Sequence, residues 1–130
     1  MLFNLLYNWQ EKYPFNLVEP RLTKINNIEQ FGVFAKTNIP ENTLIDVCRI
    51  IHIDRSIINA TNDDIITDYW FNYNKQFVCV VLGNGSLFNH STNNNVKHYF
   101  EKDLMFIYTI KEIKQNEELS FNYGYKINNI

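Results

Sequence analysis

The sequence is poor in the residues that mark several common protein classes. Its 130 residues include only two cysteines, three prolines and four glycines. Cys48 and Cys79 stand far apart in apolar runs, and no cysteine pair has the spacing of zinc ligands. Two buried free thiols are therefore the expectation, with one disulfide as the alternative.

Concentrated charge and long apolar runs are also missing. The net charge is −2 and no run of lysine or arginine occurs, so direct binding of nucleic acid is not expected. No apolar stretch approaches the roughly 20 residues of a transmembrane helix, and the first residues do not resemble a secretory signal. These absences predict a soluble, intracellular protein without membrane association. The nucleus of a host or source cell is compatible with them, although the sequence carries no nuclear signal.

What is present indicates one domain that is mostly β. A hydrophobic share of 45% is enough for a single core. Helical spacing of apolar residues predicts a helix over Leu2–Lys12, which by default covers its own sheet and alternatively mediates dimerisation. Thr61-Asn62-Asp63-Asp64 predicts the cap of a second, short helix. Asn26-Asn27 and other turn residues separate short β-like runs that fill most of the remainder. These runs are Arg21–Ile25, Gly32–Thr37, Leu44–Ile53, Tyr69–Tyr73, Phe77–Leu82, Val96–Phe100, Leu104–Ile110 and Glu118–Phe121.

The residues with catalytic chemistry do not form a familiar hydrolase or metal pattern. His90 and Ser91 are adjacent, so their side chains diverge, and no Gly-x-Ser-x-Gly elbow exists. The spacing of His52, His90 and His98 is irregular for metal ligands, so no metal is expected. His98 and Tyr99 are interpreted as core or surface strand positions, with a peptide groove as the alternative. Taken alone, Asn89-His90-Ser91 is a polar loop.

Three segments in order, however, resemble the SET domain family of lysine methyltransferases. The first is Phe31-Gly32-Val33-Phe34-Ala35-Lys36, the second is Leu87-Phe88-Asn89-His90-Ser91 with Asn95 beyond it, and the third is Glu117-Glu118-Leu119-Ser120-Phe121-Asn122-Tyr123-Gly124. The chain departs from the family pattern at Gln30, Thr92, Asn94, Asn116 and Asn122. Asn116 stands where a turn glycine is usual, which is a mild exchange because asparagine tolerates positive φ. The compact layout is most similar to small viral SET proteins.

This resemblance implies a SET fold: several small curved β-sheets with a C-terminal pseudoknot, in which the C-terminal segment passes beneath the loop of Asn89-His90-Ser91. The expected organisation is an N-terminal, helical extension over residues 1–20, a SET domain over 21–125 and a short tail over 126–130. The implied cofactor is S-adenosylmethionine.

The resemblance also assigns the site residues. The cofactor is expected against a loop of Gln30, Phe31, Gly32 and Val33, against Asn89 and His90, and beneath the ring of Tyr125. Tyr69, Phe121 and Tyr123 are expected to line the channel of the substrate lysine. Tyr123 is the expected catalytic residue, which orients the amine. Phe121, where other members have tyrosine, leaves room for more than one methyl.

The implied substrate is a protein or peptide lysine, with histone tails as the family expectation, and the implied assembly is a homodimer. Two alternatives remain open from the residues. The first is a SET-like module that binds peptide or cofactor with weak or no turnover, and Gln30 and Asn122 support it. The second is an unrelated small β interaction protein.

Overall fold

The computed structural model describes residues 8–61 and 70–124. The described elements, in chain order, are α1 (Trp9–Lys12), β1 (Val18–Ile25), β2 (Ile28–Ala35), β3 (Leu44–Asp54), α2 (Arg55–Thr61), β4 (Trp70–Asn72), β5 (Phe77–Val81), a 3-10 helix (Gly83–Leu87), β6 (Asn89–His90), β7 (Val96–Glu101), β8 (Leu104–Thr109) and β9 (Glu118–Phe121). The prediction of a mostly β domain is confirmed.

The strands form two sheets. One has the order β1-β2-β9-β6 and the other the order β4-β5-β3-β8-β7. Most of the described pairs are antiparallel neighbours, but β6 and β9 pair in parallel. Because the chain between β6 and β9 forms the β7–β8 hairpin of the second sheet, the last strand returns to the first sheet after a long excursion. That return positions the site.

Asparagine turns join neighbouring strands. The β1–β2 hairpin turns at Asn26 and Asn27, whose φ angles are 52° and 64°. Positive φ at both central residues matches the right-handed twist of the flanking strands, and asparagine adopts it more readily than most residues. The Asn26-Asn27 turn expected from the sequence is therefore present.

Several element boundaries differ from the predictions. β1 begins at Val18 rather than Arg21, because Pro20 lies on an edge strand, where its missing N–H costs no ladder bond. β2 covers Ile28–Ala35, so Gln30, Phe31, Gly32 and Val33 are strand residues and not a loop. A helix follows β3 directly over Arg55–Thr61, which the apolar pattern did not predict. The backbone N–H of Ser56 donates to Asp54 Oδ1 at 3.0 Å and turns the chain there.

Predictions for the N-terminal helix are met in part. Trp9–Lys12 is helical, and the segment 1–7 lies outside the described residues. The Trp9 ring packs edge-on against Phe106, with ring centroids 5.8 Å apart. The described part of the helix thus covers its own sheet. The short helix predicted after the Thr61 cap falls on residues 62–69, which are also outside the described part.

The core joins the two sheets into one body. Its main cluster takes buried side chains from both: Val33, Ile45, Val96, Met105, Leu119 and Phe121 are among them. Cys48 and Cys79 are free and buried here, and burial raises the pKa of each thiol to about 12. Over the described ranges, no helix is long and apolar enough to cross a membrane. In the same ranges, no three His, Cys, Asp or Glu side chains are grouped as metal ligands.

Candidate functional site

The site is built where β9 runs between β2 and β6. In the parallel pair, Asn89 lies opposite Ser120 and His90 lies opposite Phe121. The N–H of Ser91 donates to the Phe121 carbonyl at 2.8 Å, just beyond the pair. The Asn-His-Ser segment and the C-terminal segment, distant in sequence, are thereby hydrogen-bonded neighbours.

Asn95 fastens this crossing with its side chain. Its Oδ1 accepts from the backbone N–H of Ser120 at 2.9 Å. Its Nδ2 donates to the Glu118 carbonyl at 2.9 Å and to Glu117 Oε2 at 3.1 Å. The side chain is buried, so every one of these bonds replaces a contact with water. Sequence reasoning included Asn95 in a motif but gave it no role.

Asn89 is the centre of a polar cluster on one side of the crossing. Its Nδ2 donates to Glu118 Oε2 at 2.7 Å and to the Phe31 carbonyl at 3.2 Å. Gln30 Nε2 donates to Asn89 Oδ1 at 3.4 Å. The structure thus brings Gln30, Phe31 and Asn89 together, as the resemblance implied.

Gly32 makes this approach sterically feasible. A Cβ on Gly32 would lie 2.5 Å from Glu118 Oε2 and 3.0 Å from Asn89 Nδ2. Glycine is therefore required by close approach, not by its backbone angle. Val33 is different: its side chain is fully buried in the core, so only its backbone is available to a ligand.

A cavity of about 250 Å³ opens beside this cluster. It is lined by Ile25, Asn89, His90, Ser91, Asn93, Asn95, Glu117, Glu118 and Ser120. The cavity is lined by the Asn89 amide and by the carboxylates of Glu117 and Glu118, and Gly32 lies against Asn89 and Glu118. These four residues form a polar cradle of the kind that the amino-acid end of S-adenosylmethionine requires. The residues present therefore fit that cofactor.

Tyr123 follows β9 and contacts His90 of β6. Its backbone N–H donates to His90 Nδ1 at 2.8 Å, and the two rings lie 5.2 Å apart. Its hydroxyl donates to the Phe88 carbonyl oxygen. A phenol that donates one hydrogen bond keeps oxygen lone pairs with which it can accept another. The hydroxyl is thus held by the backbone of the residue that precedes β6.

Phe121, at the end of β9, is part of the core beneath the site. It is 1% exposed, and its ring lies 4.7 Å from Phe88, 5.8 Å from Phe71 and 5.5 Å from His98. Burial lowers the pKa of His98 to about 4, so its imidazole is neutral at neutral pH. His98 is thus a largely buried strand residue, in line with the favoured interpretation.

A second cavity, of about 210 Å³, lies beside Phe121. Its lining consists of Asn94, Val96, Lys97, His98, Phe121 and Asn122. Of the predicted channel residues, Phe121 and Tyr123 are placed at the crossing. Tyr69 and Tyr125 lie outside the described residues. Sequence reasoning missed Glu118 as a site residue, and the signal it overlooked was the acidic pair Glu117-Glu118 at the start of the strand that carries Phe121.

Two curated proteins are similar to this chain in sequence. A fission yeast histone-lysine N-methyltransferase specific for lysine 37 of histone H3 is 33% identical over 98 residues, covering 72% of this chain and 65% of the relative. A SET domain-containing protein of Acanthamoeba polyphaga mimivirus is 27% identical over 133 residues, covering 95% of this chain and 48% of the relative. The chain therefore spans about half to two thirds of the length of these relatives.

Solved structures agree on the fold. A Plasmodium falciparum protein assigned as a histone methyltransferase superposes with a TM-score of 0.62 at 25% identity, covering 82% of this chain and 94% of the other. Polycomb Repressive Complex 2 of Chaetomium thermophilum, bound to S-adenosylmethionine, superposes at 0.67 with 21% identity, covering 86% of this chain and 16% of the other. The SET domain family matches residues 30–124. The chain belongs to the SET domain family, and the fold expected from its three motifs is confirmed.

Proposed function

We propose that this protein is an S-adenosylmethionine-dependent protein-lysine N-methyltransferase. The observation that carries the proposal is the parallel β6–β9 pair, which holds Asn89 and His90 beside one cavity and Tyr123 directly beyond it. The family match and the activities for which the yeast and Plasmodium relatives are named support the same conclusion.

The cofactor side of the site is assigned to the polar cradle. When bound there, S-adenosylmethionine would supply an activated methyl group on a cationic sulfur, which leaves as a neutral thioether. Asn89 would hydrogen-bond its amino-acid end, and Gly32 would let the β2 backbone approach it. The backbone at His90, which is part of the strand pair, would meet the adenine edge.

The amine side is assigned to Tyr123 and Phe121. A lysine amine has an ordinary pKa of about 10.4 and must lose its proton before its lone pair can attack. Enclosure among apolar rings, next to a positive charge, lowers that pKa and favours the neutral amine. The Tyr123 oxygen, fixed by its bond to Phe88, would then accept a hydrogen bond from the amine and orient its lone pair. Positioning of this kind can supply roughly 7–11 kcal/mol of barrier reduction without a metal.

A radiolabelled methyl-transfer assay with a histone mixture and a proteome lysate tests the proposal. Tyr123→Phe should lower transfer by about 100-fold or more while cofactor affinity is kept, because only the orienting oxygen is lost. Tyr99→Phe, on an exposed position of β7, is the matched control and should be fully active. Undiminished transfer by Tyr123→Phe would remove Tyr123 from the mechanism. A wild-type chain that binds cofactor but transfers nothing would favour the SET-like binding module.

Histone tails are the proposed substrates, because the yeast relative is named for a lysine of histone H3. A peptide array covering the lysines of the core histones, read by mass spectrometry, should show one preferred site. Labelling confined to non-histone proteins of the lysate would overturn this choice of substrate and leave the activity standing.

The enzyme is further proposed to add two or three methyls. Phe121 is packed against Phe88 and lacks the hydroxyl that would restrict the space around the amine. Phe121→Tyr should therefore shift the product toward monomethyl-lysine. The total number of methyl groups transferred should fall less than the share of di- and trimethyl-lysine. Mass spectrometry of long reactions measures this, and only monomethyl product from the wild-type chain would contradict it.

A homodimer is also proposed. The β1–β2 hairpin exposes 63% of Leu22 and 50% of Phe31, which lie opposite each other in the register and share one face of the hairpin. Burial of such side chains against a second copy would stabilise the pair. Light scattering should give twice the chain mass, and Leu22→Asp should give the single-chain mass. A wild-type monomer at all concentrations would contradict the proposal.

A further inference from the structure

Among the described residues, Glu118 has no ion-pair partner, and its carboxylate lies at the edge of the cradle. It is half-buried at the start of β9, lines the cavity with Asn89 and His90, and accepts from Asn89 Nδ2 at 2.7 Å. Across residues 8–61 and 70–124, the ion pairs are those of Glu19, Asp103 and Glu112. A partly desolvated negative charge in a cavity favours a ligand that brings a positive one.

The acceptor geometry around Asn89 indicates which positive group this is. Because Asn89 Nδ2 donates to both Glu118 and the Phe31 carbonyl, its Oδ1 points elsewhere, where it accepts a long contact from Gln30 Nε2 at 3.4 Å. Glu118 and the Phe31 carbonyl also keep lone pairs for further bonds. Two acceptors, the Glu118 carboxylate and the Phe31 carbonyl, thus lie side by side about the same amide nitrogen, which suits an ammonium that brings several N–H donors. A sulfonium has no such donors.

We propose that Glu118 is a cofactor-binding residue whose carboxylate accepts a charge-assisted hydrogen bond from the α-ammonium of S-adenosylmethionine. This inference rests on the proposed function, since it places the cofactor in the cradle. Gly32 is part of the same device, because any side chain there would displace the Glu118 carboxylate.

Calorimetric titration with three ligands tests the assignment. S-adenosylmethionine carries both the sulfonium and the α-ammonium, S-adenosylhomocysteine carries only the α-ammonium, and 5′-methylthioadenosine carries neither. Glu118→Gln keeps an oxygen for the Asn89 amide but removes the charge. This substitution should raise the dissociation constants of S-adenosylmethionine and S-adenosylhomocysteine by about tenfold or more. It should raise that of 5′-methylthioadenosine by less than about twofold. Glu101→Gln, at an exposed position on β7, removes the same charge elsewhere and should change none of the three.

The remaining outcomes each overturn something specific. Loss confined to S-adenosylmethionine would assign the carboxylate to the sulfonium, and equal loss for all three ligands would reduce Glu118 to a structural support of Asn89. Unchanged binding would remove it from the site. If Glu118→Gln melts below the assay temperature, Glu118→Asp replaces it in the test, because it keeps the charge. Glu118→Asp should still bind S-adenosylmethionine and S-adenosylhomocysteine in preference to 5′-methylthioadenosine. Loss of that preference would also contradict the proposal. A wild-type chain that binds none of the three would overturn the proposed function itself.

Discussion

At the scale of the residue, asparagine takes over the turns that glycine usually occupies. Within residues 8–61 and 70–124, six residues other than glycine have positive φ, and five of them are asparagines: Asn8, Asn26, Asn27, Asn42 and Asn116. The sixth is Lys102. Asparagine adopts the left-handed region at lower cost than other side chains, so a chain with only four glycines still turns tightly. The exchange at Asn116, with φ of 71°, is an instance.

Two glycines should respond to alanine in opposite ways. Gly32→Ala should weaken S-adenosylmethionine binding by about tenfold with little change in thermal stability, because a Cβ meets the movable ends of Glu118 and Asn89. Gly83→Ala should leave binding unchanged and cost about 1–2 kcal/mol of stability, because Gly83 has φ of 71° in open space. Calorimetry and thermal melting of both variants measure the contrast. Equal effects on both properties in both variants would contradict it.

His98 should make stability depend on pH in the mildly acidic range. Its pKa is about 4 in the folded chain, against an ordinary value of 6.5, so the unfolded chain takes up a proton first as pH falls. Its contribution to stability is complete above pH 6.5 and is lost as pH falls toward 4. Between pH 7 and pH 5 the loss should be about 1–2 kcal/mol.

Urea unfolding at the two pH values measures this loss. His98→Phe, which suits a position among Phe71, Phe100 and Phe121, should remove that part of the pH dependence. An identical pH dependence in the variant would show that other groups cause it.

At the scale of the element, β9 is the strand on which the site depends. It contacts β2 along one edge through Val33↔Leu119 and β6 along the other through Asn89↔Ser120. Four residues, Glu118–Phe121, thus contribute one cavity carboxylate, two core side chains and the backbone that meets the Asn-His-Ser segment. A strand this short depends on interactions beyond its own ladder, and the Asn95 side chain supplies two hydrogen bonds to its backbone.

Asn95→Ala should therefore destabilise the protein strongly. It leaves the Ser120 N–H and the Glu118 carbonyl buried without these partners, at a cost of about 2–4 kcal/mol. Asn93→Ala is the matched control: its Oδ1 accepts from Lys111 Nζ in an exposed position, and its loss should cost less than about 0.5 kcal/mol. Urea unfolding compares the two. A similar small effect for both would show that the crossing does not depend on Asn95.

At the scale of the whole molecule, the two sheets share one core and should unfold together. Val33 and Leu119 from the first sheet pack in the same cluster as Ile45, Val96 and Met105 from the second. Because β9 cannot leave without exposing both sheets, no stable half-molecule is expected.

Leu119→Ala tests this cooperativity. Leu119 is fully buried, so the truncation should cost about 2–5 kcal/mol and shift the unfolding midpoints seen by near- and far-ultraviolet circular dichroism by the same amount. Ile51→Ala, on a side chain that is 50% exposed, should change little. Separate midpoints for the two probes in Leu119→Ala would indicate that the sheets unfold independently.

The sequence by itself determined the properties that depend on near neighbours. Short β-like runs predicted most strands, Asn26-Asn27 predicted a turn, and three short motifs in order indicated the SET family and the residues Asn89, His90 and Tyr123. Only the tertiary structure decided what distant segments do to each other. The parallel pairing of β9 with β6, the clamp made by Asn95, the burial of Val33 and the place of Glu118 beside Gly32 all depend on contacts across long stretches of chain. Local propensity selects a strand, but which strand it pairs with is set by the burial of a shared core, and no local pattern encodes that partner.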